Sequence, residues 1–138
     1  MFSFEDSRDR YAYAYPLLYR WLMLKTQGKS PADFFVRHGI QELSIYGAGE
    51  IGELFFHEIK MVENLKIRCF IDKRADFYPN GLFEIPVKTP IRYAAESIGE
   101  KLVITPVFHM ASITAELSDY GVLPECMLSL NQVIDGCR

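Results

Sequence analysis

At 138 residues, 49% hydrophobic and 24% charged, the chain has the size and composition of one globular domain. It is too apolar for disorder and too short to hold a cofactor domain beside a separate catalytic domain. A net charge of −3 gives no support for a nucleic-acid or anionic-membrane surface.

The chain opens with Glu5, Asp6 and Asp9 and has no apolar core of a secretory signal. Cys69, Cys126 and Cys137 form no C-x-x-C pair and read as reduced thiols, so a cytoplasmic location is expected. The most apolar stretch, YAYAYPLLYRWLML at 11–24, contains Pro16 and Arg20 and is too short to span a bilayer.

Residues 1–40 read as a prefix of two helices, separate from a domain at 41–138. Pro16 suits a first helical position, Leu17, Leu18, Trp21, Leu22 and Leu24 supply an apolar face, and Gly28 ends it. Ser30-Pro31-Ala32-Asp33 is a capping signal for a second helix through Phe34, Phe35 and Val36, stopped by Gly39. The crowded Tyr11, Tyr13, Tyr15, Tyr19 and Trp21 suit an interface, with a second copy or a partner enzyme, as well as they suit packing across the domain.

From residue 42 strands and helices alternate. A buried strand at 43–46 precedes a helix whose face is Ile51, Leu54, Phe55, Ile59 and Val62. A strand at 67–71 stops at Asp72; a turn, Tyr78-Pro79-Asn80-Gly81, leads to an extended piece at 85–87. Thr89-Pro90 opens a helix, a strand follows at 102–105, and Met110, Ile113, Leu117 and Tyr120 stripe a helix closed by Gly121. A last strand is expected at 126–130. The series predicts an α/β, Rossmann-like fold: a mostly parallel sheet of about five strands with helices on both faces, behind the helical prefix.

Gly47-Ala48-Gly49-Glu50-Ile51-Gly52 leaves a predicted strand and enters a helix, the setting of a dinucleotide fingerprint. Gly47 would allow the tight turn, Gly49 the approach of a diphosphate, and Gly52 close helix–strand packing. Free amides and the positive helix end would face the anion. Asp72, about twenty residues on, is placed to accept from ribose hydroxyls, and Lys73-Arg74 to meet an additional phosphate. Glu50 and Glu53 argue against an ordinary NAD site, because a carboxylate competes for the same positive end. Thr105 and Pro106 leave the strand across the expected switch point, followed by His109, where a ligand would lie. His38 and His57 have no partner motif, and no zinc-protease, nucleophile-elbow, P-loop or Tyr-x-x-x-Lys pattern is present.

With YGAGEIG at 46–52, FID at 70–72, IPV at 85–87 and VITP at 103–106, residues 40–130 resemble a known group. It comprises the Rossmann-like domains of bacterial surface-polysaccharide pathways, such as the N-terminal domains of PglD-type sugar acyltransferases and CapD-type nucleotide-sugar dehydratases. The resemblance implies a nucleotide or nucleotide-sugar at the glycine loop, with the acid near the ribose. The acyltransferase β-helix and the dehydratase catalytic domain have no counterpart here, so it implies binding more than catalysis. Three readings stay open: a nucleotide, nucleotide-sugar or NAD(P) binding module; a small NAD(P)-dependent oxidoreductase or epimerase; and an interaction protein whose loop holds nothing.

Overall fold

The computed structural model describes the backbone of residues 4–138 and the side chains of 10–138. Its sheet has five strands, β1 (Glu42–Tyr46), β2 (Lys66–Ile71), β3 (Val87–Lys88), β4 (Lys101–Ile104) and β5 (Met127–Ser129). All pairs are parallel and the order is β3-β2-β1-β4-β5. The chain moves outward from β1 to β3, then crosses back to lay β4 on the other side of β1. That is the Rossmann order, with its switch point between β1 and β4.

Six helices complete the element order: α1 (Phe4–Thr26), α2 (Ala32–Arg37), α3 (Glu50–Ile59), α4 (Pro90–Glu96), α5 (Met110–Asp119) and α6 (Leu130–Asp135). Strand alternation divides the core into two layers. Leu43 and Ile45 join Leu17, Trp21, Phe35, Phe55 and Val133 under α1, α2, α3 and α6. Tyr46 joins Tyr93, Ile113 and Leu117 under α4 and α5. Helices therefore cover both faces, as predicted.

Between β1 and β2 the register jumps from Leu43↔Ile67 to Ile45↔Phe70. The additional residue turns both Ile67 and Phe70 toward the first layer and leaves Cys69 in the second. At this point Ser44 donates to Glu100 Oε2 (2.9 Å), Arg68 Nε lies 3.2 Å from the same oxygen, and Ile98 N–H donates to Glu100 Oε1 (3.1 Å). A buried carboxylate is stable only with its oxygens satisfied in this way.

Three local expectations are corrected. In α3 the buried face is Gly52, Phe55, Phe56 and Ile59, and Leu54 is exposed. Phe56 gains its place by stacking on Phe83 (4.7 Å) and meeting Phe70 (5.8 Å), contacts that helical spacing alone does not specify. The last strand stops at Ser129, where an unforeseen α6 begins in a capping box: Gln132 N–H donates to Ser129 Oγ (3.1 Å), and Ser129 N–H donates to Gln132 Oε1 (2.8 Å).

The third correction concerns the prefix. Pro16 lies inside α1, not at its start. A proline removes one helical hydrogen bond, and here both Pro16 and Ala12, whose carbonyl loses its donor, are exposed. Leu17, Trp21 and Leu24, at i, i+4 and i+7, are buried in the same cluster as the sheet residues, and Leu22 faces outward. The first two helices thus share one core with the strands.

Glu58 of α3 fastens the prefix. Its carboxylate accepts from Trp21 Nε1 (3.2 Å), Ser30 Oγ (2.5 Å) and Lys25 Nζ (3.2 Å). Ser30 Oγ also accepts from Ala32 N–H (3.1 Å) and Asp33 accepts from Ser30 N–H (3.0 Å), although the N-cap position of α2 is Pro31, which offers no side-chain cap. Burial alone would raise the Glu58 pKa, but the hydrogen bonds from Ser30, Lys25 and Trp21 together hold it below the usual carboxylate range. A depressed pKa stabilises the fold fully above the unfolded value and loses that contribution as pH falls through the folded one. Urea melts of Glu58→Gln should therefore lie below wild type at neutral pH and approach it in acid. A gap that stays constant with pH would contradict the assignment.

Candidate functional site

The three fingerprint glycines occupy three different environments. Gly47, directly after β1, has φ +109°, and a Cβ there would meet Thr105 Oγ1 at 2.5 Å and Pro106 Cδ at 3.0 Å. Only glycine fits both the backbone and the space. A Cβ on Gly52 would lie 1.9 Å from the Gly47 carbonyl oxygen, so this glycine lets α3 close onto the turn. Gly49 differs: it is the N-cap of α3, and a Cβ there would meet nothing within 4 Å. The backbone at Gly49 is thus bordered by open space at the start of a ten-residue helix, and no side chain caps that start. The first-turn amides of Glu50, Ile51 and Gly52 have no partner four residues back inside the helix. They sit beside the switch point at the carboxyl edge of the sheet, where the helix dipole favours an anion.

Asp72 lies next to this loop and holds it. Its Oδ2 accepts from Ala48 N–H at 2.9 Å and its Oδ1 accepts from Arg74 N–H at 2.8 Å. One carboxylate thereby links the turn after β1 to the turn after β2, and each oxygen keeps a second lone pair. Asp72→Asn should cost about 1–3 kcal/mol, the penalty for a backbone donor left without its charged acceptor. Urea melts would measure it, with faster amide exchange at Ala48 and Arg74. Unchanged exchange there would contradict the linkage.

The other predicted residues separate. Glu50 is exposed on the first turn of α3, and Ile51 packs at the edge of the first core layer. Lys73 reaches away to Glu116 of α5 (3.2 Å), while the exposed Arg74 guanidinium has no partner among the described residues. Thr105 is buried; its hydroxyl donates to the Tyr46 carbonyl (2.8 Å), so it shapes the turn from below and presents nothing to a ligand. Pro106 packs against Gly47. His109 is exposed at the start of α5, with its ring against Phe108 (4.7 Å), which in turn meets Tyr13 of α1 (5.3 Å). Burial, then the nearby Glu116 and Asp72 carboxylates and Tyr120, push the Tyr46 phenol up to about 12, so it stays neutral beneath the crevice.

One feature escapes sequence reading. Beyond Asp72, between the turn after β2 and the start of α4, a cleft of about 300 Å³ is lined by Ala75, Asp76, Tyr78, Pro79, Val87, Thr89 and Arg92. Ala75, Tyr78, Pro79 and Val87 give it apolar walls, and Asp76, Thr89 and Arg92 supply polar groups. Thr89-Pro90 marks the helix start in the sequence, but only the β2–β3 pairing brings that start opposite Tyr78.

Among the described residues no group of three or more acidic, histidine or cysteine side chains is placed to hold a metal ion, and no helix is long and apolar enough to cross a membrane. Compared with known proteins, the chain matches no family model, no curated protein and no solved structure.

Proposed function

We propose that the chain binds a nucleotide or nucleotide-sugar, NAD(P) included, at the start of α3. Its diphosphate would lie on the amides that follow Gly49 and its ribose at the remaining lone pairs of Asp72. The base would occupy the cleft between Tyr78 and Arg92. These three places follow one another from β1 to β3 along the carboxyl edge of the sheet, the direction in which a nucleotide extends from a switch point. Arg74, exposed beside Asp72 and with no guanidinium partner among the described residues, would supply positive charge against Glu50 and Glu53. The observation that carries the reading is Gly49: the one fingerprint glycine with open space where a side chain would be, on an uncapped helix end. As a binding module it would serve a partner enzyme of sugar or polysaccharide synthesis.

A second reading draws on Asp72. Its carboxylate already satisfies the Ala48 amide, as it would in a scaffold whose loop holds no ligand. A thermal-shift screen with NAD, NADP, UDP-sugars, CoA and S-adenosylmethionine separates the two. A ligand at a hundred times its dissociation constant stabilises by about 2.7 kcal/mol. The proposal expects a shift from at least one diphosphate-linked nucleotide, and its loss in Gly49→Val. No shift from any of them, or a shift that Gly49→Val leaves intact, would favour the scaffold.

A further inference from the structure

The tyrosines of α1 divide by face. Tyr13 turns toward Phe108, whereas Tyr11, Tyr15, Tyr19 and Leu22 are 64%, 71%, 56% and 64% exposed. At 100° per residue these four share one stripe on the side of the helix opposite Leu17, Trp21 and Leu24. Met23 is also exposed on its flank, and Tyr15 and Tyr19 stack on one another with ring centroids 6.5 Å apart. At its N-terminal end the Arg10 guanidinium lies over the Tyr11 ring, 5.5 Å from the centroid. Between residues 11 and 24 the only charge is Arg20, and that guanidinium is turned to Asn131 and Asp135 of α6.

We infer that this stripe is the isologous interface of a homodimer, with α1 of one chain packed on α1 of a second copy. A two-fold interface must be complementary to itself, and the part of the stripe centred on Tyr15, Tyr19 and Leu22, which carries no charge, meets its own copy without like-charge repulsion. The size also fits. An aromatic side chain buries about 150–250 Å², so the exposed parts of the stripe offer roughly 550 Å² per chain. Two copies bury about 1,100 Å², above the ~1,000 Å² that a specific interface needs. Tyrosine suits such a centre, since its ring is apolar and its hydroxyl can stay wet at the rim. An anionic membrane surface fits less well: Arg10, at one end, is the single cation described against the stripe, and the chain's net charge is −3. The inference rests on α1 alone and is independent of any nucleotide at α3.

The test is sedimentation of the full-length protein across micromolar concentrations, with Tyr15→Lys and Leu22→Lys as variants and Met61→Lys as a control. Met61, 82% exposed just beyond α3, lies off the stripe. Wild type and Met61→Lys should sediment as dimers, while either stripe variant should weaken the dimer about thirtyfold or more, the loss typical of a central anchor. Both sites are exposed, so circular dichroism and melting of the monomeric variants at low concentration should match wild type. A wild type that remains monomeric at high micromolar concentration overturns the inference. So does a dimer that survives both stripe variants, or a monomer that binds phosphatidylcholine–phosphatidylglycerol vesicles through the stripe.

Discussion

Gly52→Ala is expected to destabilise the protein by about 3 kcal/mol or more, enough to abolish much of a typical domain's stability. The added methyl would sit 1.9 Å from the Gly47 carbonyl oxygen, a backbone atom that a rotamer change cannot move aside. The Gly47 turn is itself fixed by Thr105 and Pro106 on one side and by the hydrogen bond its N–H donates to the Ile71 carbonyl (2.8 Å) on the other. Relief therefore requires α3 to lift from the sheet, exposing Phe55 and Ile59. Gly49→Ala should behave quite differently. Its φ of −85° and ψ of −164° suit any residue and its Cβ meets open space, so stability should change by no more than about 1 kcal/mol. Urea melts of the two variants give the comparison. Equal losses would mean that the loop does not distinguish a packing glycine from an open one.

The second large effect lies in the prefix. Trp21→Ala should lose about 3–5 kcal/mol, the usual range for truncating a buried aromatic, and it also removes the indole donor to Glu58. Together Leu17, Trp21 and Leu24 contribute on the order of 6 kcal/mol of burial, comparable with a small domain's whole stability. A chain lacking residues 1–28 is accordingly expected not to fold, as read by circular dichroism and loss of a cooperative melt. Tyr15→Ala, on the outer face of the same helix, should stay within about 0.5 kcal/mol when both proteins are melted at concentrations too low for self-association. A truncated chain that melts cooperatively near the wild-type temperature would show the prefix to be dispensable.

These contrasts explain what the sequence could and could not reveal. The roles of Gly47 and Gly52 were legible because a strand, a turn and a helix meet within six residues, where local sterics decide. Asp72 was legible in position, twenty residues on at the end of β2. Its bond to Ala48 was not, since that depends on how closely two turns approach. Thr105 was read as facing a ligand because it directly follows β4. The pairing of β4 with β1 puts its hydroxyl on the Tyr46 carbonyl instead. α6 escaped because Ser129 both ends a strand and caps a helix, leaving no polar linker to mark the change. The docking of α1 is the least local feature of all: Arg20 meets Asn131, 111 positions away.

A nucleotide diphosphate is proposed to sit on the amides after Gly49. This placement is tested most directly by following the backbone amide resonances of the labelled protein as the best ligand of the thermal screen is added. Saturable shifts should centre on Gly49, Glu50 and Ile51, extend to Asp72 and Arg92, and disappear in Gly49→Val. Shifts centred elsewhere, such as the groove of about 450 Å³ lined by Met110, Thr114 and Met127 between α5 and β5, or no saturable shifts at all, would contradict it.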